Sequence, residues 1–90
     1  MSIKREFEII NRLGLHARAS AVLVKVATRF KSEVTVTKDG QAVNGKSILG
    51  MMTLAAAQGS RVTIECSGGD EKDAIEAIGA CIADRFGEDA

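Results

Sequence analysis

Along this chain of 90 residues the spacing of apolar side chains switches repeatedly between a period of two and a period near 3.6, and no other feature restricts the fold as much. Residues 3–10 alternate, with Ile3, Arg5, Phe7 and Ile9 on one side and Lys4, Glu6, Glu8 and Ile10 on the other, as in a half-buried strand. Between Ala17 and Phe30 the residues Val22, Leu23, Val26, Ala27 and Phe30 recur at helical spacing, which predicts an amphipathic helix that buries them. The stretch "EVTVTKDGQAVN", residues 33–44, returns to period two and contains Asp39-Gly40, a pair suited to the positive φ angles of a tight antiparallel hairpin. Ser47, a favoured N-cap, then opens a short apolar helix that runs out at Gly59, with Gly50 weakening it by up to ~1 kcal/mol. In "RVTIEC", residues 61–66, Val62, Ile64 and Cys66 point one way and make a fourth strand. Asp70 caps the last helix, whose buried stripe is Ala74, Ile75, Ile78, Ile82 and Phe86 and which Gly87 stops.

The order β-α-β-β-α-β-α, without proline, linker or low-complexity segment, predicts one α+β domain over residues 1–90. Helices with one apolar face and strands with one polar face build most simply as two layers, with water reaching the far side of the sheet. The pattern leaves strand order open, and split β-α-β folds of many functions share it.

Charge and composition remove several functions. Twelve basic and twelve acidic side chains cancel, and three Phe with no Tyr or Trp offer few stacking platforms, which argues against nucleic acid as a partner. Cys66 and Cys81 lie outside any C-x-x-C pair, so no zinc or redox motif is present and no metal or other cofactor is expected. Both fall on apolar faces and read as buried free thiols, which fits a reducing compartment. "MSIKREFEII" opens charged, and no segment approaches the ~20 apolar residues of a membrane span. A soluble cytoplasmic protein, monomeric and without membrane insertion, is the expectation.

His16, the only histidine, stands where the first helical pattern begins. The first amides of a helix have no intrahelical partner, and with the macrodipole they form a ready site for phosphate. Arg18, within the first turn, adds a charge-assisted donor, and the amide at Ala17 is one of those left unpaired. Imidazole is a competent nucleophile near neutral pH, and phosphoryl transfer asks mainly for positioning and charge stabilisation. The same local features equally suit a histidine that only closes a turn after Gly14.

"GLHARAS" at 14–20 together with "NGKSILGMMTLAA" at 44–56 resembles the histidine-containing phosphocarrier family, HPr, of the bacterial phosphotransferase system. The likeness spans essentially the whole chain. It implies an open-faced β-sandwich with three helices on one face of a four-stranded antiparallel sheet. It also implies phosphorylation of His16 on Nδ1, with Arg18 beside it. Enzyme I, charged by phosphoenolpyruvate, would be the donor and an enzyme IIA domain the acceptor. The chain departs from the family at Ala19 and Ser20, where Pro and Ala are frequent. Ala19 is a strong helix former that keeps its N–H, so the first turn is expected to survive with more local freedom.

Ser47 matches the family's regulatory serine, a target of HPr kinase/phosphorylase in many relatives, and is at the same time a helix cap. A phosphoserine at that position is compatible with the helix dipole and would act on partners, through charge beside an apolar patch. Met51 and Leu54 fit a buried face, which leaves Ile48, Leu49 and Met52 as candidate docking residues. The chain is therefore expected to be a stoichiometric phosphoryl carrier rather than an enzyme. The alternative is a non-catalytic α+β regulatory module that works by docking alone. The resemblance leaves open both a sugar-uptake and a nitrogen-related phosphorelay.

Overall fold

The computed structural model describes all of residues 1–90, and the elements follow in the expected order. They are β1 (Ser2–Glu8), α1 (Ala17–Ala27), β2 (Glu33–Lys38), β3 (Gln41–Asn44), α2 (Ile48–Thr53), β4 (Arg61–Ser67) and α3 (Glu71–Ala83), followed by a 3-10 turn at Arg85–Gly87. The strands form one antiparallel sheet in the order β1-β4-β2-β3, and the three helices cover one face of it. Central β4 aligns Ile64 with Arg5 of β1 on one flank and with Val36 of β2 on the other. Val62, Ile64 and Cys66 are fully buried beneath the helices, as their alternation requires. Edge strand β1 is less enclosed, so Ile3 and Phe7 are half-buried and Arg5 reaches water from the same side. The β2–β3 hairpin turns through Asp39 and Gly40 with φ of 51° and 81°, the backbone that Asp-Gly favours.

Helix α1 departs from its expected stripe. Its buried residues are Ala19, Ser20, Leu23, Val24 and Ala27, while Val22, Val26 and Phe30 are only half-buried. Small Ala19 and Ser20 let the helix approach the core closely, which turns its contact face by about one position and leaves Val22 and Val26 beside α3. The helix also stops at Ala27 rather than at Phe30.

Asp70 does not cap α3 with its side chain. Its carboxylate instead accepts the backbone N–H of Lys31 (2.8 Å) and of Ser32 (2.9 Å), together with the Ser32 hydroxyl. Ser32 is buried in the α1–β2 loop, and without Asp70 its polar groups would lack a partner. The Ser32 hydroxyl first, and then the Lys31 amide, hold the Asp70 carboxyl below the ordinary aspartate range.

Helix α3 ends at Ala83, before Gly87. Arg85, Phe86 and Gly87 then take φ of 55°, 55° and 81°, a left-handed reversal that buries Phe86 and sends the last residues back across the molecule. Phe86 thus reaches the core through a turn and not as the final member of the α3 stripe.

Candidate functional site

Two loops and the N-terminus of α1 build the region around His16. Gly14 sits at φ +68°, and a Cβ there would stand 2.9 Å from the Ala57 Cα and closer still to the Ala56 carbonyl. Only glycine permits so near an approach, which lets Leu15 N–H donate to Ala56 O at 2.8 Å. His16 follows as the N-cap of α1 in an extended conformation (φ −75°, ψ −179°), and its carbonyl accepts the first helical bond from Ser20 N–H at 2.9 Å.

The imidazole makes no capping hydrogen bond. The amides of Ala17, Arg18 and Ala19 therefore open the helix without an intrahelical partner, and the ring is turned elsewhere. Its Nε2 lies 2.5 Å from Oε2 of Glu88, with the two side chains 30 % and 15 % exposed. The other Glu88 oxygen accepts from Asn11 Nδ2 at 2.9 Å. That nitrogen also donates to Gly14 O at 2.9 Å, while Oδ1 of the buried Asn11 has no protein partner. Because both neighbours of Nδ2 are acceptors, the amide can point only this way. The Asn11 hydrogen bond foremost, then that of His16, hold the Glu88 carboxyl below the ordinary glutamate range.

Arg12, Leu13, His16, Arg18, Glu88, Asp89 and Ala90 line a pocket of ≈ 220 Å³. Ala17 and Arg18 are exposed on its helical side. A larger hollow of ≈ 540 Å³ between α1 and α3 shares no residue with it and contains no histidine. At the family departure, Ala19 and Ser20 are buried, and the Ser20 hydroxyl donates to Leu15 O at 3.2 Å. That bond ties the first turn back to the loop, a restraint that differs from the one a proline ring supplies.

Ser47 caps α2, its Oγ accepting the N–H of Gly50 at 3.0 Å. Met51 and Leu54 are buried as expected, whereas Ile48, Leu49 and Met52 are exposed, Leu49 by 73 %. Leu13, exposed by 65 % at the edge of the His16 pocket, is a further apolar residue on the surface. Cys66 is buried, but Cys81 is only half-buried, because it faces the open hollow beside α1 instead of the sheet. Burial pushes both thiols above the ordinary cysteine range. No group of three His, Cys, Asp or Glu side chains is arranged to hold a metal ion, and no helix is long and apolar enough to cross a membrane.

Sequence reasoning passed over Asn11, Arg12, Leu13 and Glu88. The first three lie within five residues of His16, where a turn was already implied. Glu88 is 72 positions away, beyond the end of the last helix, and no local pattern announces it.

The fold and this site define a class: small α+β proteins that carry one imidazole at a helix N-terminus, on the rim of a sheet otherwise open to water. Residues 3–84 match the family model described as the PTS HPr component phosphorylation site. The phosphocarrier protein HPr of Cupriavidus necator is 52% identical over 86 residues, covering 96% of this chain and 97% of that one. The crystal structure of HPr-C-His from Thermoanaerobacter tengcongensis superposes with a TM-score of 0.94 at 42% identity, covering 98% and 99% of the two chains. An HPr dimer from the same organism gives 0.78 at 45% identity, covering 91% and 94%. The chain belongs to the HPr family of phosphotransferase-system components.

Proposed function

We propose that this protein is a stoichiometric phosphoryl carrier in which Nδ1 of His16 takes the phosphoryl group from phospho-enzyme I and hands it to enzyme IIA domains. The observation that carries this reading is an N-cap histidine whose ring does not cap its helix, in a pocket shared with Arg12 and Arg18. The Nδ1 lone pair forms the new N–P bond as the donor's N–P bond breaks, and the donor imidazole takes the departing electron pair. The unpaired amides of Ala17, Arg18 and Ala19 and the Arg18 guanidinium would steady the phosphoryl oxygens. Each molecule accepts one phosphoryl group and must give it up before accepting another, so it serves as a co-substrate of its donor and acceptor and not as an enzyme. In this reading neither metal nor cofactor has a part.

Ile48, Leu49 and Met52 form the docking patch in this reading. Aliphatic and thioether side chains of this kind suit brief complexes with several partners. Phosphorylation of Ser47 by HPr kinase/phosphorylase would add about two negative charges beside that patch and weaken docking. In this reading one domain over residues 1–90 acts as a monomer in the cytoplasm, with the pocket and the patch both formed by residues of the one chain.

Incubation with enzyme I and phosphoenolpyruvate should give an acid-labile, alkali-stable adduct on wild type and none on His16→Ala. Equal labelling of the variant would sink the reading. The docking-only alternative predicts instead that His16→Ala retains full function in cells.

A further inference from the structure

We propose that Glu88 is a positioning residue for His16: its carboxylate holds the ring proton on Nε2 and so presents the Nδ1 lone pair to the phosphoryl group. This deepens the carrier reading above and rests on it. A carboxylate offers only acceptors, so an Oε2···Nε2 separation of 2.5 Å requires the shared proton to belong to Nε2. The second oxygen is engaged by Asn11 Nδ2, whose other bond to Gly14 O locks it to the loop that carries His16. The left-handed run Arg85–Phe86–Gly87 aims Glu88 at the ring from the opposite end of the chain, with Phe86 buried as its anchor. Such backbone is maintained only where the surrounding structure dictates it. Arg12 N–H donating to Ala90 O at 3.1 Å fastens the segment on its far side.

In the transfer step, forming Nδ1–P with Nε2 still protonated leaves a positive charge on the ring, and the ionised Glu88 lies where it offsets that charge. When the N–P bond breaks, its electron pair returns to Nδ1. No proton has to leave the ring in either direction, and Glu88 acts on the ring as the carboxylate behind a triad histidine does.

The decisive comparison is between Glu88→Ala and Glu88→Gln. Alanine removes the acceptor and lets both tautomers form. Glutamine must give its one oxygen to Asn11 Nδ2, which places its NH2 against the ring and favours a bare Nε2 with the proton on Nδ1. Ring 15N spectra of the unphosphorylated protein should therefore show Nε2–H in wild type, a mixture in Glu88→Ala and Nδ1–H in Glu88→Gln. The kcat/KM for phosphorylation by enzyme I should fall a few-fold in Glu88→Ala and about tenfold or more in Glu88→Gln. A packing role predicts the reverse order, with the isosteric glutamine nearly harmless. Wild-type ring signals in Glu88→Gln, or wild-type transfer rates in a Glu88→Gln protein whose amide spectrum is otherwise unchanged, overturn the proposal. A wild-type protein that takes no phosphoryl group overturns the carrier reading itself, and the ring spectra still decide whether Glu88 sets the tautomer.

Discussion

Leu15 N–H donates to the carbonyl oxygen of Ala56 across 2.8 Å, and this bond ties the loop before His16 to the chain just past α2. The His16 region and the helix capped by Ser47 are thus physically joined, although they are far apart in sequence. Gly14 makes the contact possible, because any Cβ there would enter the backbone at Ala56 and Ala57.

Gly14→Ala is accordingly expected to be costly on two counts, a positive φ and a backbone clash. Together they should lower stability by on the order of 2 kcal/mol or more, read from the urea midpoint. Because the loop must shift to relieve the clash, phosphorylation of His16 should slow as well. A variant of unchanged stability would show that the two loops are not held in contact.

Ser47→Ala removes the oxygen that caps Gly50 N–H, which should cost about 1 kcal/mol. Its labelling by enzyme I should stay close to wild type, since Ser47 makes no contact with the pocket around His16. Strong loss of labelling in a folded Ser47→Ala protein would place Ser47 in the transfer step itself.

Asp70 links stability to pH. Its carboxyl is held below the ordinary range by Ser32 and Lys31, so the folded protein favours the ionised form. A depressed folded pKa contributes stability that is fully present above the unfolded value of ~3.9 and is lost as pH falls through the lower folded value. Asp70→Asn should therefore melt below wild type at neutral pH, and the gap in Tm should close on acidification below about pH 4. A gap that is independent of pH would mean that the carboxylate charge has no role there.

The two thiols should differ in access. Cys66 is fully enclosed between β4 and the helices, whereas Cys81 borders the hollow beside α1. An aromatic disulfide reagent should modify one thiol per native chain, and Cys81→Ser should abolish that reaction until denaturant exposes Cys66. Because burial raises the Cys81 pKa, the native reaction should be slow at neutral pH and accelerate as pH rises past the ordinary thiol range.

Much of the architecture was legible before any coordinate. The two hydrophobic periods, the Asp39-Gly40 hairpin and the Ser47 cap placed the seven elements in order, because each depends on neighbouring residues and on backbone preferences that act locally. Helix α2 nonetheless stops at Thr53, short of Gly59, with Ala55 just beyond it at a positive φ of 49°. The paired motifs around His16 and Ser47 named the family for the same reason: each is a short contiguous run. Periodicity mistook the face of α1, since it weighs Val22 and Val26 above Ser20, while packing prefers the small residues that let the helix sit close. Asp70 looked like a cap by position, and only the amides of Lys31 and Ser32, in a remote loop, redirected it.

The sequence by itself determined the order of the elements, the one imidazole of the chain and its place at a helix start. Tertiary structure alone decided what that imidazole touches. Glu88 meets His16 through a left-handed reversal and an anchoring phenylalanine at the far end of the chain, and contacts of that range depend on how packed layers bring remote backbone together, which no local spacing records.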